Sequence, residues 1–243
     1  MIKFLEKRPD LLNWIALIGM IVLMGMIFIY APTERTMGYV QRIFYFHVGT
    51  AWVASITFFV ALICGGLYLW KRWPQLDTIS AASVEIGVAF VTMTIVSGAI
   101  WGKPAWNTYW IWSPRLTSIT IMWLVYIAYF ILRSVIYDEE QKRRFSAVYV
   151  IAGFVTVIIT YGSIRILRDI HPVMFGGALE SAAGLEQGLQ DFNGLQEIQM
   201  VITLNVAIIV FTLLYVAWVA NRIKLDKMQA KLNKMRMHLL ANE

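Results

Sequence analysis

The chain has 243 residues, of which 59% are hydrophobic and 15% charged, with a mean hydropathy of +0.63 and a formal net charge of +6. An ordinary soluble domain is about 45–50% apolar and about 25% charged, so this composition excludes a typical water-soluble enzyme. Aromatic content of 14% argues against disorder, and the single Cys64 leaves no intrachain disulfide. The pattern predicts an all-α integral membrane protein, residues 1–243 forming one domain.

A membrane-crossing helix needs about 20 mostly apolar residues. Six stretches meet that need: Leu11–Tyr30, Phe44–Trp70, Ile79–Trp101, Thr117–Ile136, Phe145–Ile164 and Ile198–Ala220. The first follows Lys3, Lys7 and Arg8, as a signal peptide would, but it is longer than a typical signal core and no A-x-A pattern follows it. It is expected to be an uncleaved first span. With the N-terminus in the cytoplasm, fifteen Lys and Arg residues fall on the cytoplasmic side and six on the other, as the positive-inside rule requires. The net charge therefore reflects membrane orientation, and no nucleic-acid partner is expected. Membrane lipid is.

The second span opens on Phe44-Tyr-Phe-His47, which places His47 at its outer end. Glu85, in the third span, is costly there unless paired, protonated or turned to a polar interior. Both a substrate route and a helix-packing role are open to it. Between the third and fourth spans runs Trp101-Gly-Lys103-Pro-Ala-Trp106-Asn107-Thr-Tyr109-Trp110-Ile-Trp112-Ser113-Pro-Arg115, with four of the ten tryptophans inside twelve residues. Trp and Tyr are enriched at any membrane interface, so an aromatic belt is one reading. A local cluster of indoles also suits a flat apolar ligand, with the indole N–H groups bonding its polar edge. Trp106 and Trp110, at i and i+4, would share a face if a short helical turn formed between Pro104 and Pro114.

His171 follows the fifth span in Arg168-Asp-Ile-His171-Pro, at the same membrane level as His47 and the tryptophans. Taken singly, each histidine suits an interfacial hydrogen bond. As a pair beside an aromatic platform, they suit the two axial positions of haem iron. Zinc would want further ligands, and copper with His171 and Met174 is a further possibility. Outer cations Arg42, Lys103, Arg115, Arg165 and Arg168 could meet carboxylates of such a ligand, Lys103 and Arg115 best because they lie inside the tryptophan segment. The tail, residues 221–243, is basic and cytoplasmic by this topology. It carries Ile223, Met228, Leu232, Met235 and Leu239 at helical spacing, and either extends the last helix or lies on the inner leaflet. His238 lies within it, among Lys and Arg. No P-loop, G-x-G-x-x-G or H-E-x-x-H occurs.

The tryptophan segment, continuing Ser-Pro-Arg115-Leu-Thr-Ser, resembles the signature of haem-handling membrane proteins, and the six spans resemble the cytochrome c biogenesis CcmC family. Tyr-Phe-His47-Val and Arg-Asp-Ile-His171-Pro resemble that family's two outer histidines. The resemblance implies a non-enzymatic carrier of haem b at the outer face of the plasma (inner) membrane. His47 and His171 would ligate the iron, and Trp101, Trp106, Tyr109, Trp110, Trp112, Lys103 and Arg115 would hold the macrocycle. Implied partners are the haem chaperone CcmE, the single-span subunit CcmD and the ABC transporter subunits CcmA and CcmB. Two positions depart from the family pattern: Ser113 replaces an acidic residue, and Asn107 a glycine. A membrane b-type cytochrome and a transporter of another planar molecule are the competing readings.

Overall fold

The computed structural model describes residues 9–35, 37–166, 195 and 197–240. Six of its helices are long and apolar enough to cross a membrane. They are α1 (Pro9–Gly25, prolonged by a π-turn over Met26–Tyr30), α2 (Arg42–Lys71), α3 (Pro74–Trp106), α4 (Pro114–Val135), α5 (Glu139–Ile166) and α6 (Ile198–Leu240). No strand forms among the described residues beyond one isolated bridge, Glu34 to Gly38. The all-α expectation therefore holds, and each predicted span lies within a helix or, for the first and fourth, overlaps nearly all of one. Local chemistry explains why the helices run past the apolar stretches. Pro74 and Pro114 each open a helix at a position where the missing N–H costs nothing, and Ser113 Oγ caps α4 by accepting from Leu116 N.

Helix α2 is the centre, packing against α3, α5 and α6, while α1 lies on α6 and α4 on α5. Lipid offers no hydrophobic drive for helix association, so close approach and polar contacts must do it. Both are present. Gly49 of α2 lies against the Phe211 ring of α6, where a Cβ would come within 2.9 Å of Cε2, and Phe58 stacks on Tyr126 at 3.7 Å between centroids. Ser83 Oγ and Tyr215 Oη are 2.9 Å apart, Ser80 Oγ donates to Ala61 O at 3.1 Å, and the Asn13 and Asn221 amides bond each other. Residues such as Ile18, Ile21 and Ile29 face outward, as a lipid-facing surface requires.

Charges gather at the end of the bundle where α3 begins. Arg133 of α4 grips buried Asp77 of α3 with both guanidinium nitrogens, at 2.7 and 3.0 Å, and Arg143 of α5 lies 4.0 Å away. Glu85 is paired as well, accepting from Arg222 Nε of α6 at 2.6 Å. That contact favours the helix-packing role over a substrate route. Both side chains of the pair keep substantial exposure, 52% for Glu85 and 38% for Arg222. Exposed pairs contribute about 0–1 kcal/mol, so Glu85→Gln should leave unfolding within about 1 kcal/mol of the parent. A denaturation midpoint in mixed micelles checks this.

Candidate functional site

At the opposite end of the bundle, a cavity of about 970 Å³, open mouth included, lies between α2, α3, α4 and α5. Helix α2 contributes Phe44, His47 and Val48; α3 contributes Thr94, Gly98, Trp101 and Trp106; Trp110 comes from the connecting segment, Arg115 from α4 and Tyr161 from α5. The walls are mainly aliphatic and aromatic, as those of ligand pockets usually are. Arg115 is the one charged side chain in the wall among the described residues.

His47 projects from the second turn of α2 toward α3. Its Nδ1 lies 3.1 Å from the Thr94 carbonyl oxygen and 3.2 Å from Ser97 Oγ. A carbonyl only accepts, so Nδ1 carries the proton and donates, and in the neutral ring the lone pair sits on Nε2. Metal-binding histidines are commonly oriented in this way, through a hydrogen bond from the nitrogen that does not ligate. Gly98 makes room for the ring: a Cβ there would lie 2.9 Å from His47 Cε1. Thr50 Oγ1 donates to His47 O and lies 3.0 Å from Thr94 Oγ1, tying the same stretch of α2 to α3.

The tryptophan segment divides its residues between two environments. Helix α3 runs through Pro104 to Trp106 and stops at Asn107, whose backbone is left-handed (φ 57°). Trp110 therefore lies outside any helix, and the expected helical turn carrying Trp106 and Trp110 together does not form. The chain reversal at Asn107 brings both indoles to the cavity instead. Asparagine tolerates this conformation better than other residues with a side chain. Lys103 Nζ donates to Asn107 O at 2.9 Å and to its Oδ1 at 3.2 Å, fastening the helix end. Ser113, in the place of an acidic residue, keeps the N-capping oxygen that a carboxylate would offer.

Trp101, Trp106 and Trp110 line the cavity, whereas Tyr109 (62% exposed), Trp112 (72% exposed) and Lys103 do not. The indoles pack edge to face, Trp101 with Trp106 at 5.4 Å and Trp110 with Trp112 at 5.7 Å. The site is thus a walled recess with its rings at angles, where sequence reasoning anticipated a flat platform. The indole nitrogens of Trp106 and Trp110 are buried without a hydrogen-bond partner. Arg115 Nη1 donates to Thr160 O at 3.0 Å and its guanidinium lies 5.1 Å from the Tyr161 ring centroid, which fixes the cation against α5. His171, Arg168 and Met174 lie outside the described residues. Of Arg165 the side chain does too. Arg42 stays apart from the cavity, over the Phe28 and Tyr39 rings.

Sequence reasoning missed Thr94, Ser97, Gly98, Thr160 and Tyr161. The only signal for the first three was their small size on one face of an apolar span.

Comparison with known proteins identifies the family of the chain. The chain is 30% identical over 172 residues to a protein named Heme exporter protein C of Bradyrhizobium diazoefficiens, an alignment covering 70% of this chain and 65% of that protein. It is 30% identical over 162 residues to Heme exporter protein C of Escherichia coli (strain K12), covering 65% and 66%. Similarity extends to a putative cytochrome c biosynthesis ccmC-like mitochondrial protein of Marchantia polymorpha, 28% identical over 141 residues, covering 58% and 59%. The chain thus spans about two thirds or less of the length of these relatives. The family model described as "CcmC: Heme exporter protein C" matches residues 1–238, nearly the whole sequence, and the chain belongs to that family.

Proposed function

We propose that this protein binds haem b at the outer face of the plasma membrane and delivers it to a haem chaperone for cytochrome c maturation, without catalytic turnover. The observation that carries the reading is the recess itself. One imidazole with its Nε2 lone pair, two unpartnered buried indole N–H groups and a fixed guanidinium share one largely apolar recess. That donor set fits haem: an axial nitrogen for iron, apolar walls for the macrocycle and a cation for a propionate. Haem supplies the iron and the flat ring; the protein supplies the hold.

In this reading His47 Nε2 ligates one face of the iron and His171 the other. Thr94 O and Ser97 Oγ keep the His47 ring in its ligating tautomer. Arg115, already bonded to Thr160 O, pairs with a propionate, while the Trp106 and Trp110 nitrogens bond the ligand's polar edge. Trp112, Tyr109 and Lys103 belong to the same tryptophan loop without lining the recess, and in this reading that loop would present the haem to the chaperone CcmE. Transfer then exchanges the protein's imidazoles for the chaperone's ligand. The distribution of fifteen Lys and Arg residues against six supports cytoplasmic termini and an outer-face recess. With no nucleotide-binding motif in the sequence, any ATP-driven step belongs to partners such as CcmA and CcmB, with CcmD as a small membrane subunit.

The test is optical. Wild-type protein purified from haem-replete membranes should show the reduced spectrum of bis-histidine haem. A His47→Ala, His171→Ala double variant of equal yield and monodispersity should lack it. A normal spectrum in that variant would overturn the ligand assignment.

A further inference from the structure

Helix α6 runs unbroken for 43 residues, from Ile198 to Leu240. At 1.5 Å per residue that is about 65 Å, roughly twice the hydrocarbon thickness of a bilayer. Near the bundle, Arg222 and Lys224 pair with Glu85 and Asp10. Beyond them every residue from Lys227 to Leu240 is exposed.

The projecting part is not uniformly polar. Leu225, Met228, Leu232, Met235 and Leu239 follow one another at alternating spacings of three and four. That is the a/d seam of a coiled coil, with Leu at each a position and Met at each d position. All five are exposed, between 45% and 69%. The seam's flanks are one-signed. Positions e and g are Gln229, Lys231, Arg236 and His238, and the sole acid between Leu225 and Leu240, Asp226, is held by Arg222.

We infer that this helix extension is a coiled-coil docking surface for a partner helix bearing apolar a/d residues and acidic e/g residues. Pairing with a second copy of this chain is disfavoured by the same flanks. A parallel pair would set Lys231 against Arg236, and in either orientation the flanks of a second copy offer these cations no carboxylate at e or g. A carboxylate-flanked helix turns both positions into attractions, and Met at d accommodates varied packing. A lipid surface fits less well. To lie on the leaflet the helix would have to break after the membrane span, whereas it is continuous through Asn221 to Leu240.

The test uses the full chain in phosphatidylcholine nanodiscs and two labelled synthetic peptides. Both carry Leu at a and d over four heptads; one has Glu at e and g, the other Lys. The Glu peptide should bind at least about tenfold more tightly than the Lys peptide. Leu232→Asp with Met235→Asp should abolish its binding, while Lys231→Glu with Arg236→Glu should reverse the preference. Because these side chains are exposed and lie beyond the bundle, each variant should keep the fold. Equal binding of both peptides, or no effect of the seam variant, would overturn the inference. So would loss of Glu-peptide binding when phosphatidylglycerol replaces phosphatidylcholine, which would assign the tail to lipid. Dimerisation abolished by the seam variant would assign it to self-pairing, with the same consequence.

Discussion

Replacing Asp77 by alanine should destabilise the helix bundle by about 3–5 kcal/mol, the largest effect expected of any single polar substitution among the described residues. The Asp77 side chain is 7% exposed and receives both nitrogens of the Arg133 fork. Removing the carboxylate leaves Arg133, itself 22% exposed, beside Arg143 with only the Tyr129 hydroxyl and ring as partners. The cost is that of an uncompensated buried charge, so it exceeds the net worth of the pair. A thermodynamic cycle separates the two quantities. The Asp77→Ala, Arg133→Ala double variant should be less damaged than the sum of the singles, because it removes the orphan along with the partner. Equilibrium unfolding in mixed micelles measures all three. Near-neutral single variants would mean that water reaches the pair and screens it. The contact also ties the start of α3 to the end of α4 and the start of α5, so its loss should loosen the end remote from the recess.

The second large effect falls on the recess. Gly98→Ala should lower haem occupancy by about ten- to a hundredfold while leaving the bundle folded, in the range seen when the support of a metal-binding histidine is removed. The added Cβ would stand 2.9 Å from His47 Cε1, closer than carbon atoms approach, so one of them must move. The ring is the movable partner, and moving it breaks its hydrogen bonds to Thr94 O and Ser97 Oγ. Its tautomer and aim are then no longer set. The matched control is Gly66→Ala in α2, where a Cβ meets nothing within 4 Å. That variant should bind haem normally and gain about 0.5–1 kcal/mol from the helix preference of alanine. Iron and protein quantified in the same purified samples decide the matter. Normal haem content in Gly98→Ala would show that the His47 ring does not need its present seat.

These two residues mark where sequence reasoning stopped. The six spans were legible because a bilayer demands about 20 apolar residues in a row, and Leu11–Tyr30 or Ile198–Ala220 satisfy that without reference to any other part of the chain. His47 and the tryptophan segment could be placed at one end for the same reason: alternating spans fix which connections share a side. Asp77 was not legible. It precedes the third apolar stretch, and nothing in the neighbouring sequence announces that Arg133, 56 positions later, is its partner. Glu85 stood out by its cost, but its resolution by Arg222 depends on how α3 and α6 are rotated against each other. The tail's helical spacing was readable in the sequence, while which of its apolar residues lie exposed depended on where α6 leaves the bundle: Ile223 is buried and Leu225 is not.

The tryptophans show the division most clearly. Their clustering is a property of the sequence, and with His47 it made a ligand site at one end of the bundle an expectation beside the aromatic belt. Which indoles serve that site is not. Trp101, Trp106 and Trp110 turn inward and Trp112 outward because α3 ends in a left-handed residue at Asn107 and α4 begins afresh at Ser113. Hydropathy and motif spacing are local and survive any rotation of a helix about its axis. The direction of a ring, the seat that Gly98 leaves for an imidazole and the pairing of a buried charge are set by that rotation, which only the packing of all the helices together fixes.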